Sequence, residues 1–453
     1  MARFLNGSAW LGRAIPQRVA TLVTLAVLAA CATPPTNGTV APKPTVPVDS
    51  GLPQAPPAMP TKPVTEVPLD APAPASIPVG PVKVGLLLPL SGTGAAVGTE
   101  MRNAAEMALF DQGQDRLVLL PRDTKGAPAE AAEAARSLIA DGARLVLGPL
   151  FSAEVAAVKP VAQTAGVNVL AFSNDWTRAG GGTFIIGLVP ADQVARVVGY
   201  AQMRGLSRLA ILAPRDPYGD AVVAAAHDSA QRVGVTVARE ERYGKDNADL
   251  AGAVTRLASG GDAALEEQKR QLAGRTDEAS RAALARLQTQ AGTPDSGFDA
   301  LLIAEGGERL KTLVPLLAAH GIDAAHVRLL GTGLWEDAAI GRLPGLAGAW
   351  YAAPAPDVRA DFESRFLALY HHRPQRLATL AYDATALAAV LAKSANGFSA
   401  ANLTNPSGFA GIDGVFRLRG DGLVERGLAV IEIGPEGPRV IDQAPSALAA
   451  LTN

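Results

Sequence analysis

Val82-Lys-Val-Gly-Leu-Leu-Leu-Pro-Leu-Ser-Gly92-Thr-Gly-Ala-Ala-Val-Gly98 decides the fold. The first seven residues are short, apolar and partly branched, which predicts a strand buried on both faces. A Pro and a cluster of small residues then end the strand, and a helical pattern follows over Met101–Phe110. The same rhythm continues down the chain. Strands are predicted at Leu117–Leu120, Arg144–Leu147, Val167–Ala171 and Thr183–Ile186, with an Ala-rich helix at Ala129–Ile139. The cycle restarts with a helix at Gln193–Tyr200, a strand at Arg208–Leu212, a helix at Ala221–Val233 and strands at Val235–Val237 and Phe298–Ile303. Alternation of this kind means parallel sheets covered by helices. Because it occurs twice, it predicts an α/β fold of two lobes, each a parallel sheet flanked by helices. Leu188-Val-Pro190 is the first crossing between them.

The expected division is 82–188 for the first lobe, 189–330 for the second, 331–398 for a return to the first, and 399–453 for closing strands of the second and a tail. Between Ala251 and Gly297, runs such as Leu265-Glu-Glu-Gln-Lys-Arg-Gln-Leu272 are charged and poor in large apolar residues. They predict a solvent-facing helical insertion, 252–297, beside the second lobe.

The N-terminal part has a different composition. Arg3, Arg13 and Arg18 precede an uncharged apolar run, Val19–Leu28, which is too short to span a bilayer core of ~30 Å. Residues 1–30 therefore read as a signal peptide. It closes on Leu28-Ala-Ala-Cys31, and Cys31 is the only cysteine of 453 residues. That run resembles a bacterial lipobox, which implies lipidation of Cys31 and attachment to a membrane. Ala32 next to it implies sorting to the outer membrane, on the periplasmic side of the envelope. Residues 31–81 are rich in Pro, Thr, Ala and Val; such a segment lacks backbone donors and the apolar density for a core, so it is expected to be a disordered tether. Fully extended, it would reach roughly 150 Å.

The chemistry-bearing motifs of common enzymes are missing from the sequence. The spacing Gly92-x-Gly94-x-x-x-Gly98 departs by one residue from the dinucleotide pattern. His371-His372 is the only histidine pair, and adjacent helical residues point about 100° apart, so no metal face forms. No metal site and no cofactor is expected, and the reading is of a protein that is not an enzyme. A formal net charge of −2 with both signs interspersed argues against nucleic acid as a partner. What the small-residue turn can do is receive an anion: the hydroxyls of Ser91 and Thr93 and the free N–H groups of a helix start suit a carboxylate.

With these elements in order, Val84–Gly92, Leu147-Gly-Pro-Leu-Phe-Ser152, Ala213-Pro-Arg-Asp-Pro-Tyr-Gly219 and Leu380-Ala-Tyr-Asp383 resemble the leucine/isoleucine/valine-binding class of type I periplasmic binding proteins. The resemblance implies a ligand cleft between the lobes. Ser152, Ser173 and Asp175 match the first-lobe positions that take a ligand carboxylate, and Tyr218 matches the second-lobe tyrosine that closes over it. The carboxylate that holds a ligand ammonium should fall within Gly331-Thr-Gly-Leu-Trp335, and Gly333 stands there instead; Trp335 completes the expected cleft. Without that counter-charge a buried ammonium is costly, so tight binding of leucine, isoleucine or valine is not expected.

A second resemblance, carried by Leu329–Glu336, Trp350-Tyr-Ala-Ala-Pro354, the charged insertion and the lipobox with its tether, is to the penicillin-binding protein activators. These lipoproteins of the same fold stimulate cell-wall synthases, which would make a peptidoglycan synthase the partner. The tether stands here where those proteins carry an N-terminal helical-repeat domain. The competing expectation is the solute receptor of an amino-acid-type ABC importer.

Overall fold

The computed structural model describes residues 80–448 except 114, 115, 276, 290–295, 338 and 395. The predicted signal peptide, Cys31 and the tether up to residue 79 lie outside the described residues. Everything described falls in one unit, Asp70–Asn453.

In chain order, lobe 1 begins with β1 (Val82–Leu88), α1 (Ala95–Asp111), β2 (Leu117–Asp123), α2 (Pro128–Ala140), β3 (Leu145–Leu147), α3 (Ser152–Thr164), β4 (Asn168–Ala171) and β5 (Thr183–Ile185). The strands pair in parallel in the order β2-β1-β3-β4-β5. The sequence of β1 is apolar at nearly every position because both faces are covered. Val84, Leu86 and Leu88 join one core, and Leu87 points to the opposite one with Leu138 and Val158. Gly85 lies on that second face, where an added Cβ would stand 2.6 Å from Leu138 Cδ1.

Lobe 2 follows with α4 (Pro190–Met203), β6 (Arg208–Pro214), α5 (Pro217–Val233), β7 (Thr236–Tyr243), α6 (Asn247–Ala273), α7 (Glu278–Thr289), β8 (Ala300–Ile303), α8 (Gly307–Ala319), β9 (Arg328–Gly331) and β10 (Trp350–Ala353). The chain then runs through α9 (Pro356–Tyr370), α10 (Ala378–Leu391), α11 (Ala400–Leu403) and an antiparallel set, β11 (Phe409–Gly411), β12 (Gly414–Leu418) and β13 (Val424–Arg426), before β14 (Ala429–Gly434) and β15 (Gly437–Asp442). The second sheet has the order β15-β14-β10-β9-β8-β6-β7, parallel from β10 to β7, with β14 and β15 antiparallel at the other edge.

The pairing corrects the expected boundaries. Residues 331–353 do not return to lobe 1: Trp350 and Tyr351 pair with Leu330 and Gly331 inside the second sheet. The return begins at α9, whose Phe362 and Phe366 pack with Met107 and Tyr382. Nor does lobe 2 resume at 399. Phe416, Leu418 and Val424 belong to the same core as Val84 and Leu86, so the last crossing falls at Gly427–Leu428. The apolar runs themselves carry no label for the lobe they join; only long-range pairing assigns them.

The helical insertion is also narrower than expected. Leu250, Ala253, Val254 and Leu257 of α6 are fully buried in the second core. Their spacing of i, i+3, i+4, i+7 is the inner stripe of an ordinary covering helix. None of the described helices is long and apolar enough to cross a membrane.

Candidate functional site

The loops at the carboxyl ends of the strands face one another across the lobes, the usual place for a ligand in open α/β sheets. In lobe 1, the end of β1 runs through Pro89 and Leu90 into α1. Asp123 fixes this turn by accepting from the N–H groups of Leu90 (2.8 Å), Ser91 (3.1 Å) and Lys125 (2.8 Å) and from Ser91 Oγ (2.5 Å). Burial alone would raise the Asp123 carboxyl, but these hydrogen bonds outweigh it and hold it below the ordinary range. Gly94 ends the turn with φ 87° and caps α1 without any side-chain hydrogen bond. Ala95 N–H turns back to Gly92 O at 3.3 Å, which leaves the N–H groups of Ala96 and Val97 at the cleft end of the loop.

The two lobes solve helix entry in the same way. An added Cβ on Gly98 would lie 2.0 Å from Pro89 O, and one on Gly219 would lie 2.0 Å from Pro214 O. Each glycine lets the first turn of a helix press against the proline that ends the preceding strand. In lobe 2, Asp216 caps α5 by accepting from Gly219 N–H (2.8 Å), and Pro217 occupies the first helical position. The next residue, Tyr218, is thereby set on the cleft wall, with its hydroxyl 2.7 Å from Thr332 Oγ1. Burial is the main reason that its phenol is pushed up to about 12, with the Thr332 hydrogen bond acting the other way. It is a neutral hydrogen-bonding group at any physiological pH.

Between these loops lies a cavity of about 580 Å³. Val97, Leu150, Phe151, Phe172, Leu188 and Leu334 supply its apolar walls, and Thr93, Ser173, Asn174, Gln193 and Tyr218 its polar groups. An adjoining cavity of about 290 Å³ shares Asn174 and Tyr218 and adds Asp175 and Trp176. Such size and mixture suit a small organic molecule.

The predicted cleft residues divide. Ser173, Tyr218 and Gly333 line the main cavity together. Ser91 does not: its hydroxyl is spent on Asp123, in the turn behind the wall. Ser152 and Asp175 are bound to each other, and Arg178 Nε reaches both at 3.2 Å. Asp175 also accepts from Thr177 N–H and Oγ1, capping the short helical turn Trp176–Arg178. Burial, which raises it, is outweighed by the Ser152 and Thr177 hydrogen bonds and the Arg178 charge, so its carboxyl sits below the ordinary range. It is ionised, but Arg178 balances it, and it stands off the main cavity.

Trp335 is a correction of another kind. It is fully buried in the second core, tilted against Tyr351, with its indole N–H donating to Glu305 O at 2.9 Å. Gly331 is glycine because a Cβ there would meet the Trp335 ring at 2.2 Å. The Gly-Thr-Gly-Leu-Trp run thus serves core packing at its ends and the cleft only in the middle.

Sequence reasoning missed Gln193. It is 6% exposed, it sits in the first turn of α4, and its Oε1 accepts from Gly333 N–H at 2.6 Å. No group of three or more His, Cys, Asp or Glu side chains that could hold a metal occurs among the described residues.

Residues 81–265 match the family model described as periplasmic binding protein. A Leu/Ile/Val-binding protein of Rhizobium johnstonii is 26% identical over 187 residues, 39% of this chain and 51% of that protein; the chain thus spans about half the length of the curated relative it matches. Among solved structures, one described as a branched-chain amino acid ABC transporter from Rhodospirillum rubrum superposes with a TM-score of 0.62 at 18% identity, covering 80% of this chain and 100% of the other. A solute-binding protein of an R. palustris ABC transporter in complex with benzoate gives 0.54 at 19% identity, covering 82% and 98%. A branched-chain amino acid transporter substrate-binding protein of Streptococcus pneumoniae in complex with isoleucine gives 0.52 at 18% identity, covering 80% and 100%. The architecture of the described chain is that of the type I periplasmic binding proteins.

Proposed function

We propose, from the premise of that type I periplasmic binding architecture, that the chain is the solute receptor of an importer of the branched-chain-amino-acid transporter type, a non-catalytic protein of the cell envelope. One observation carries the reading: the cavity of about 580 Å³ has both walls furnished, Ser173 from lobe 1 and Tyr218, Gln193 and Gly333 from lobe 2. A cleft with recognition groups on both sides gives a ligand something to gain from closure of the two lobes. The names of the matched proteins, which bind leucine-type amino acids or benzoate, support the same class.

The receptor reading displaces the one in which the chain activates a cell-wall synthase. Of the residues that carried that resemblance, Trp335, Trp350 and Tyr351 are buried, and packing of the fold is enough to account for them. Cys31 remains the proposed anchor, attached by lipid and followed by the tether. Changing Cys31→Ser and fractionating cells tests it; retention of the variant in the membrane pellet at the level of the wild type rejects the anchor.

The receptor reading is tested by thermal-shift screening of the full-length chain against a panel of small organic solutes, amino acids, carboxylates and neutral compounds included. At a ligand concentration 100 times Kd a binder stabilises by about 2.7 kcal/mol, which is readily seen as a rise in Tm. Absence of a shift with every member of the panel rejects the reading.

A further inference from the structure

The described lining of the main cavity contains no Asp, Glu, Lys, Arg or His. Tyr218 is its only titratable group, and it stays neutral. Three carboxylates close to it are committed elsewhere. Asp175 serves Ser152, Thr177 and Arg178. Glu305 accepts from the Tyr243 hydroxyl at 2.9 Å and from Gly306 N–H at 3.1 Å, and Asp216 caps α5.

Gln193 gives this neutral surface a direction. A backbone N–H can only donate, so the amide atom that meets Gly333 N–H at 2.6 Å must be the oxygen. The amide NH₂ is then the free end. It has no hydrogen-bond partner among the described residues, it belongs to a side chain more than nine-tenths buried, and Gln193 lines the cavity. Across the cleft the start of α1, beside Thr93 and Gly94, offers the N–H groups of Ala96 and Val97 and the positive end of a 17-residue helix. Of the polar side chains on the walls, the Gln193 amide offers its donor end, Thr93, Ser173 and Tyr218 are hydroxyls and Asn174 is a neutral amide, so a ligand acceptor finds donors here while a ligand cation finds no negative charge. An ammonium placed beside the Gln193 amide would lose its water and face another donor instead of a counter-charge.

Resting on the receptor reading, we propose that the Gln193–Gly333 pair makes this cleft selective for a small carboxylate with an apolar body and no ammonium group. The matching amino acid is excluded because the position that should accept its ammonium presents a donor. Gln193 is the specificity-determining residue, and Gly333 fixes its orientation.

Titration calorimetry of the full-length chain with leucine, 4-methyl-2-oxopentanoate and benzoate tests this. Leucine and the oxo acid share a carboxylate and a side chain and differ only in ammonium against carbonyl. The oxo acid or benzoate is expected to bind at least about 30-fold more tightly than leucine, the lower end of what an unpaired buried charge costs at a binding site. Gln193→Glu, which puts an isosteric carboxylate in the same place, is expected to raise leucine affinity and lower that of the oxo acid. Melting curves show whether the variant is folded; if it is not, the wild-type ratio decides alone. Leucine binding as tightly as both carboxylates overturns the selectivity and leaves the receptor reading standing. So does silence toward both carboxylates when another member of the solute panel binds. Silence toward the whole panel overturns both.

Discussion

Trp335 and Gln193 exchange the roles that a motif would give them. The indole occupies a position matched to a cleft, yet it is clamped between Gly331, Tyr351 and the Glu305 carbonyl. Trp335→Ala is expected to destabilise the fold by about 3–5 kcal/mol through the cavity it leaves, read as a lowered urea midpoint. Asp175→Ala breaks the ion pair with Arg178 and removes a cap, at a cost of about 1 kcal/mol. Because the folded state holds the Asp175 carboxyl below its unfolded value, its contribution is present above the ordinary carboxylate range and is lost as the pH falls through the folded pKa; the difference between wild type and variant should shrink on acidification. Tyr218, Ser173 and Gly333 were expected in the cleft through the resemblance of the short runs that hold them, and all three line the cavity. Gln193 was not, since its meaning depends on a backbone N–H 140 residues further on.

At the level of elements, strand and helix existence was largely readable, because a buried parallel strand and an amphipathic helix leave different periods in the chain. What could not be read was which apolar run neighbours which, and so the return at α9 and the second return at β14 were misplaced. Helix entry is the best-determined detail. Gly98→Ala forces a methyl against the Pro89 carbonyl and is expected to cost about 1–3 kcal/mol as overpacking. A matching loss for Gly219→Ala would show that both lobes depend on the device. The start of α6 belongs to the core: Leu257→Ala should lose about 2–5 kcal/mol in a denaturant melt, whereas a surface decoration would lose almost nothing.

Across the whole molecule, charges gather where the lobes meet. Glu336, just after β9 in lobe 2, is held by Arg376 Nε at 2.8 Å and by Arg359, both from the returning segment of lobe 1. Arg376 continues to Asp413, 3.0 Å away, which Thr379 also serves. Asp192, at the first crossing, accepts from Arg426 N–H at the last one (3.1 Å). Burial pushes Asp192 up to about 7, with Glu425 adding to the rise and Arg426 and Arg419 opposing it. Its folded pKa lies above the unfolded value, so the folded state is penalised as the pH rises from about 4 through about 7. Asp192→Asn keeps an acceptor for the Arg426 N–H and removes that penalty. Between about pH 5 and about pH 8 the wild type is expected to lose on the order of 1–3 kcal/mol relative to the variant; parallel pH curves would reject this role.

The three crossings also govern how such a chain comes to be folded. The core of lobe 1 joins Leu86 and Leu147 to Leu380 and Phe416, contacts that close loops of more than two hundred residues. Loop closure and high contact order make such pairings slow to form. The strands of 82–185 emerge before β6 to β10 of lobe 2, whereas α10 and β12, which pack on one face of the lobe 1 sheet, emerge after them. A chain cut after Ala353 keeps five of the seven strands of the second sheet and lacks the α10 and β12 parts of the lobe 1 core. The lobe that begins first therefore cannot finish until most of the other has been made, and the time it waits is time in which its apolar sheet must be kept from other partners.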